Sequence, residues 1–245
     1  MKSGRCKFCE SDALLVKAHI YPKSVYDYIR RGDKYPSKLY SSDSRIHPKR
    51  TQIGVYDQTI LCQTCEDGFK KYDDYGAALL LKDVDPATLI PNANTPVAYS
   101  VAKYDYTRLK LFFLGVLWRA SASRHEVFQK CDLGPHEHAV RAMIRDGDPG
   151  GPEDFGVALR RYIDDLGQYS TTSPYRTKIC GVNFTVLHMA GYKAFIKTDR
   201  RLLPVEFAPC VLAPGRPLYV LTHDIRLDKD FAFMRKVVMS RTHRK

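Results

Sequence analysis

Two cysteine pairs, Cys6-Lys7-Phe8-Cys9 and Cys62-Gln63-Thr64-Cys65, constrain this chain more than any other feature. With two residues between cysteines, one tight turn presents both sulfurs to a single tetrahedral ion, backbone N–H groups facing the thiolates. Two such knuckles complete a ligand set, so the spacing predicts a structural Zn²⁺ held by Cys6, Cys9, Cys62 and Cys65. The plainer reading is two unrelated reduced pairs in a core. An ion with four sulfurs has no open position for substrate, and its role is then to fold a segment too small and polar to fold on its own core. The cysteine count is seven, and Met1 to Cys9 lacks the apolar stretch of an export signal. Thiolates on a metal are favoured over disulfides, and the cytoplasm is the expected compartment. Cys131, Cys180 and Cys210 have no such partner and read as buried thiols.

A chain of 245 residues can hold one large domain or two modest ones. Lys and Arg number 39 against 27 Asp and Glu, a formal charge of +12. That balance suits a polyanionic partner, nucleic acid first, although basic surfaces also serve solubility alone. Leu109 to Trp118 is the densest apolar run; Lys110 interrupts it and it is too short to cross a bilayer, so no membrane partner is expected. No phosphate-cradling glycine motif, nucleophile elbow or dinucleotide fingerprint appears, which argues against a nucleotide-driven function.

Composition divides the chain in three. Residues 1–82 carry the knuckles around a polar, basic insertion from Arg30 to Arg50. Residues 83–100, with Pro86, Pro91 and Pro96, read as a linker. Beyond residue 101, Leu109, Phe112, Phe113, Val116 and Leu117 recur at helical spacing. Further helices are expected over Glu137–Arg145, Phe155–Leu166 and Asp228–Met239. Strands are expected over Lys178–His188, Tyr192–Thr198, Pro204–Leu212 and Pro217–Thr222. His136 and His138 diverge on a helix start and read as surface or capping groups.

Between the knuckles, Ala13–Lys17 can form a strand, followed by Ala18-His19-Ile20-Tyr21-Pro22-Lys23-Ser24, where the proline ends regular structure. Gly54–Leu61, with Asp57 five places before Cys62, runs into the second knuckle. Glu66 to Lys82 then reads as a helix with Phe69, Tyr72, Gly76, Leu79 and Leu80 on one face.

This order resembles the HNH, or ββα-metal, nuclease family of the zinc-stapled type, over residues 6–75 only. The resemblance implies that His19 acts as general base on water and that Asp57 stands where the family has Asn or Asp. It also implies that Glu66 stands where a helix residue binds a catalytic divalent ion. Two departures are plain: Ala18 replaces a residue that is often a ligand, and no histidine occurs in 66–75. The ion then rests on carboxylates, Asp57 and Glu66 with Asp67, Asp73 or Asp74 nearby, which suits Mg²⁺ or Mn²⁺. Phosphodiester hydrolysis needs an activated water and charge neutralisation, and a neutral imidazole can take the proton. Each residue also has a plainer reading: His19 as a buried cap, Asp57 as a turn residue, Glu66 and Asp67 as helix ion pairs with Lys70 and Lys71.

The expected fold is therefore α+β. A zinc-stapled ββα-metal module (1–82) is joined by the linker (83–100) to a mixed helix and antiparallel-sheet domain (101–245). The favoured function is a metal-dependent endonuclease on nucleic acid, double-stranded DNA first, with phage defence or a mobile element as the setting the resemblance implies. Lys23, Arg30, Arg31, Lys49 and Arg50 are the expected phosphate contacts, with Tyr28, Tyr35 and Tyr40 interleaved for stacking; oligomerisation is left open. One alternative is a zinc-knuckle nucleic-acid-binding protein whose nuclease site has decayed. A third reading is a protein-interaction scaffold.

Overall fold

The computed structural model describes residues 2–30, 38–39, 49–50, 54–92, 95–164, 171–229, 231–232, 235–236 and 239. Strands β1 (Lys2–Arg5) and β2 (Asp12–Leu15) pair antiparallel, and the first knuckle is the loop between them. That loop closes through Cys6 N–H to the Ser11 carbonyl at 2.9 Å and Glu10 N–H to the Cys6 carbonyl at 2.8 Å, with Glu10 in the left-handed region. β3 (Ala18–His19) follows, then α1 (Lys23–Ile29). The sequence reading ended regular structure at Pro22. Instead Pro22 precedes the helix, where a fixed φ suits entry and a missing N–H costs nothing.

β4 (Lys38–Leu39) and β5 (Lys49–Arg50) form a short hairpin within the basic insertion. β6 (Tyr56–Asp57) pairs antiparallel with β3, setting Ala18 opposite Asp57 and His19 opposite Tyr56. α2 (Gln63–Leu80) begins directly after Cys62 and buries Phe69, Tyr72, Gly76 and Leu80, the face expected from the sequence.

Residues 83–100 are a correction. They carry β7 (Leu89–Asn92) and the start of β8 (Thr95–Val101), paired with each other at one edge of a seven-stranded sheet. Pro91 is tolerated because β7 is the edge strand, and Pro96 because it lies near the start of β8, ahead of the ladder to the next strand, which begins at Ala98. α3 (Tyr106–Ala122) and α4 (Glu137–Asp146) come next, α4 ending at Gly147 with φ 70°. Phe155–Leu166, expected as a helix, instead holds β9 (Val157–Tyr162), a strand buried on both faces whose short apolar run has no diagnostic period. β10 (Thr172–Ile179), β11 (Val182–Met189) and β12 (Tyr192–Lys197) are a meander. The strand expected over Lys178–His188 is therefore broken by a turn at Cys180-Gly181, and Cys180 is exposed rather than buried.

Pro204–Leu212, expected as a strand, opens instead with a 3-10 turn over Val205–Phe207, and Phe207 stacks on Phe184 at 4.8 Å. β13 (Leu218–His223) completes the sheet, in the order β10-β11-β12-β9-β13-β8-β7. The sheet is mixed, not antiparallel throughout, because β13 runs parallel to β9. The fold is thus mixed α/β, with four α-helices named among the described residues. Beyond β13, Lys229, Phe231, Ala232, Arg235, Lys236 and Met239 are helical.

One apolar core runs from Cys6 to Val220. α3 is its axis: Leu109 through Ala120 is buried without a break, Lys110 and Arg119 included. α2 crosses it closely, and a Cβ on Gly76 would lie 2.4 Å from the Phe112 ring, so only glycine fits. Tyr192 ties this layer to the sheet, donating to the Leu80 carbonyl at 3.0 Å and sharing a 2.8 Å hydrogen bond with Tyr99.

Candidate metal centre and the residues around it

The hairpin loop and the N-terminus of α2 bring Cys6, Cys9, Cys62 and Cys65 together, with all four Sγ atoms within 4.8 Å of one another. Cys9 and Cys62 Sγ are 3.9 Å apart. A tetrahedral ion with Zn–S bonds of about 2.3 Å sets its sulfurs roughly 3.8 Å apart, so the cage matches the ion. Cys62 N–H points at Cys6 Sγ at 3.4 Å, the donor a thiolate needs, and Lys7 N–H to the Ile60 carbonyl (2.9 Å) joins the two knuckles. Burial and then the neighbouring sulfurs push the Cys65 thiol far up, while hydrogen bonds led by Ser11 overcome burial and bring Cys9 to about 7. Four thiolates this close repel, and a dication is what lets them coexist. An all-sulfur set selects zinc over Mg²⁺ or Ca²⁺.

Among the described residues these cysteines are the one group of three or more His, Cys, Asp or Glu donors that converge. His19, Asp57 and Glu66 are neighbours, but they do not form a second cage. His19 is half-buried on β3, its ring 6.2 Å from Tyr56 and 6.5 Å from Tyr26. Ala18 beside it is fully buried and offers no ligand.

Asp57 is not open to a metal. Its Oδ1 accepts from Thr59 N–H (2.8 Å) and Thr59 Oγ1 (2.6 Å), and its Oδ2 accepts from Ser123 Oγ and Arg124 N–H, both at 2.8 Å. Four donors match the lone pairs a carboxylate presents. Burial works to raise this carboxyl, but the hydrogen bonds outweigh it and hold the pKa below its usual value. Two of the donors come from the end of α3, so Asp57 fastens β6 to that helix.

Glu66, in the first turn of α2, accepts a hydrogen bond from the His19 backbone N–H. Its Oε2 is sealed from solvent with no hydrogen-bond partner. Burial raises its pKa, opposed by the nearby Arg119 charge. Arg119 itself is committed to Asp73, with both Nη atoms 2.7 Å from its oxygens, and lies over the Phe69 ring at 5.0 Å. The helix pairs expected of Glu66 with Lys70 and Asp67 with Lys71 are replaced: Asp67 accepts from Gln63, Lys70 reaches Asp74 at 4.0 Å, and Lys71 covers the Tyr72 ring.

Of the expected phosphate contacts, Lys23 is exposed in the first turn of α1, and Arg30 caps that helix in an ion pair with Asp27. Tyr28 is buried in the core, which removes it as a stacking group. Lys49 and Arg50 belong to β5, and Arg31, Tyr35 and Tyr40 lie outside the described residues. Sequence reasoning missed what α3 contributes here, Arg119 and the Ser123–Arg124 turn. A lone arginine inside a helix buried all round was the available signal. Among the described residues no helix is long and apolar enough to cross a membrane. No protein-family model, curated protein or solved structure matches this chain.

Proposed function

We propose that this chain is a nucleic-acid-directed endonuclease of the ββα-metal type, stapled by zinc. The observation that carries the reading is the β3–β6–α2 unit closed by the four-cysteine cluster. It presents His19 on β3 and ties the Glu66 carboxylate of α2 to the His19 backbone. In the proposed reaction a water oxygen attacks phosphorus, His19 takes the water's proton, and the bond from phosphorus to the 3′ oxygen breaks; the 3′ oxygen keeps the bonding pair and takes a proton from solvent, and His19 returns its own proton to solvent. Asp57 is a positioning residue, since its four hydrogen bonds fix the strand opposite His19. The divalent ion is proposed at the Glu66 carboxylate, whose Oε2 has no hydrogen-bond partner but is enclosed, so the side chain has to turn outward to meet an ion held with the substrate's own phosphates. When bound, Mg²⁺ or Mn²⁺ supplies charge neutralisation at the phosphate. The formal charge of +12 suits double-stranded DNA as partner.

A second reading is binding without cleavage, and specific observations favour it: Ala18 offers no ligand, Asp57 is fully occupied, and Asp73 is held by Arg119. Plasmid cleavage by zinc-loaded protein in EDTA, Mg²⁺ or Mn²⁺, with His19→Ala alongside, separates the two. Ion-dependent cutting that His19→Ala abolishes, with zinc content unchanged, supports the nuclease. DNA binding that weakens with salt but never leads to cutting moves the function to binding alone.

A further inference from the structure

Leu159 of β9, Tyr192 and Ala194 of β12 and Val220 of β13 belong to the core shared with the helices. Alternation therefore turns Arg160, Lys193, Leu221 and His223 to the outer face of the sheet. The register sets them side by side: Lys193 opposite Arg160, Arg160 opposite Leu221, and His223 opposite Tyr162. Beyond β13 the chain returns over this face at Asp228. Its Oδ2 accepts from Lys193 Nζ at 2.8 Å and from Tyr162 Oη at 2.7 Å, and lies 4.0 Å from His223 Nε2. Lys193 and Tyr162 are buried, whereas Arg160 and His223 are half-buried and reach solvent.

The acids beside these cations are engaged. Asp228 is held by Lys193 and Tyr162, and Asp224 is gripped through both oxygens by Arg226, at 2.9 and 2.7 Å. Among the described residues no carboxylate pairs with Arg160, which lies over the Phe195 ring at 5.6 Å. Burial first, then the Arg160 and Lys193 charges, hold the His223 pKa below its usual value against the pull of Asp228 and Asp224. Cations that oppose a proton on the imidazole favour an anion at the same place. A phosphate suits a guanidinium beside an imidazole, since both donate hydrogen bonds and its charge answers theirs. Tyr219 selects nucleic acid as the source of that phosphate. It lies on the same outward row of β13 as Leu221 and His223 and is 37% exposed, an aromatic face for a base next to cations for the backbone.

We infer that Arg160 and His223 bind a backbone phosphate of a nucleic-acid strand on the outer face of the sheet, where Tyr219 stacks on a base. This rests on nucleic acid as the partner in the proposed function and gives the seven-stranded sheet a part in holding it. The contact needs neither His19 nor a divalent ion.

The test uses full-length, zinc-loaded protein without added divalent ion and a short fluorescein-labelled single-stranded oligonucleotide, with affinity read by anisotropy across a salt series. Each phosphate contact to a single strand contributes about 0.7 to the slope of log affinity against log salt. Arg160→Met keeps an apolar stem over Phe195 but no charge, and its slope should be shallower by about that amount; Arg160→Lys should keep the wild-type slope. A merely structural role for Arg160 would move stability and leave the slope alone. In wild type, inorganic phosphate should raise the pKa of the His223 ring, followed by its NMR signal and identified through His223→Gln. That reading needs no change at Arg160, so it stands should Arg160→Met fail to fold. Tyr219→Ala should weaken the oligonucleotide at least about fivefold, the low end for one stacked base, and leave the phosphate response in place. No oligonucleotide binding by wild type, an unchanged slope in folded Arg160→Met, a His223 titration indifferent to phosphate, or unaltered oligonucleotide affinity in Tyr219→Ala overturns the inference. The expected losses in these variants, with no cutting by wild type in Mg²⁺ or Mn²⁺, support it and sink the nuclease reading alone.

Discussion

Replacing Asp57 tests the claim that this carboxylate is a clamp rather than a ligand. It accepts four hydrogen bonds, two from Thr59 on its own loop and two from Ser123 and Arg124, more than sixty residues away in sequence. Asp57→Asn keeps the Thr59 side of the clamp but turns an amide NH₂ toward Ser123 and Arg124. The serine hydroxyl can rotate to accept, whereas the Arg124 N–H cannot, so one donor is left facing another. An orphaned, partly buried donor together with a lost charge-assisted bond costs about 2–3 kcal/mol. Asp57→Ala orphans every donor and should cost about 4 kcal/mol or more, a large share of a domain's stability. Urea unfolding can be followed by Trp118, the single tryptophan, which is fully buried and donates to Glu137 at 2.6 Å. The folded pKa lies below the unfolded value, so the clamp's contribution is present above the unfolded pKa. It is lost as pH falls through the folded one. The acid limb of stability should therefore flatten in Asp57→Asn relative to wild type. A loss below about 0.5 kcal/mol, the range of an inert surface change, with an unchanged acid limb would refute the reasoning.

Two further outcomes follow from the buried polar groups. Elemental analysis should find zinc in wild type and lose it in Cys62→Ser, with Trp118 emission shifting to the red because Phe8 of the first knuckle packs on that ring at 5.1 Å; a zinc-free variant of equal stability would remove the staple. Burial drives the Lys110 ammonium down to about 8 against the pull of Asp154 and Asp148. The unfolded chain thus binds the extra proton between that value and its ordinary one, and stability should rise with pH across the interval. Lys110→Met should abolish a rise on the order of 2 kcal/mol, measured as the difference between wild-type and variant urea midpoints at pH 8 and pH 10.

What could be read in the sequence was what local spacing encodes. The cysteine pairs, the buried stripe of α2 from Phe69 to Leu80, and the apolar run of α3 each depend on residues a few positions apart, and each stands as expected. β9 was misread because a six-residue strand in the middle of a sheet is buried on both faces and shows no alternation. The hairpin at Cys180-Gly181 was missed because its first turn residue is a cysteine held at φ 48°, not one of the usual turn formers. Asp57 and Glu66 were located, but what surrounds them was not. Ser123 and Arg124, which bind Asp57, and Arg119, the charge near Glu66, lie tens of residues away, and no propensity or period reports a contact at that separation.

Those long-range partners explain why a helix as apolar as α3 carries two buried cations. Lys110 donates to the Gly151 carbonyl and the Tyr106 hydroxyl, holding the 148–154 loop that Lys197 of β12 grips from the sheet side through Glu153. Arg119, two and a half turns on, holds α2 through Asp73, and the turn after it holds β6 through Asp57. Lys7 of the first knuckle donates to the Ala122 carbonyl, and Arg141 of α4 reaches the Lys7 carbonyl at 3.3 Å. The strands that carry the cysteine cluster therefore meet the rest of the protein through oriented polar bonds as well as apolar contact. Apolar packing tolerates small rotations of a helix, whereas a bidentate guanidinium and a four-donor carboxylate do not. In this arrangement α3 sets the angle at which β3 and α2 present His19 and Glu66, which places determinants of the proposed site outside the segment that carries its ligands.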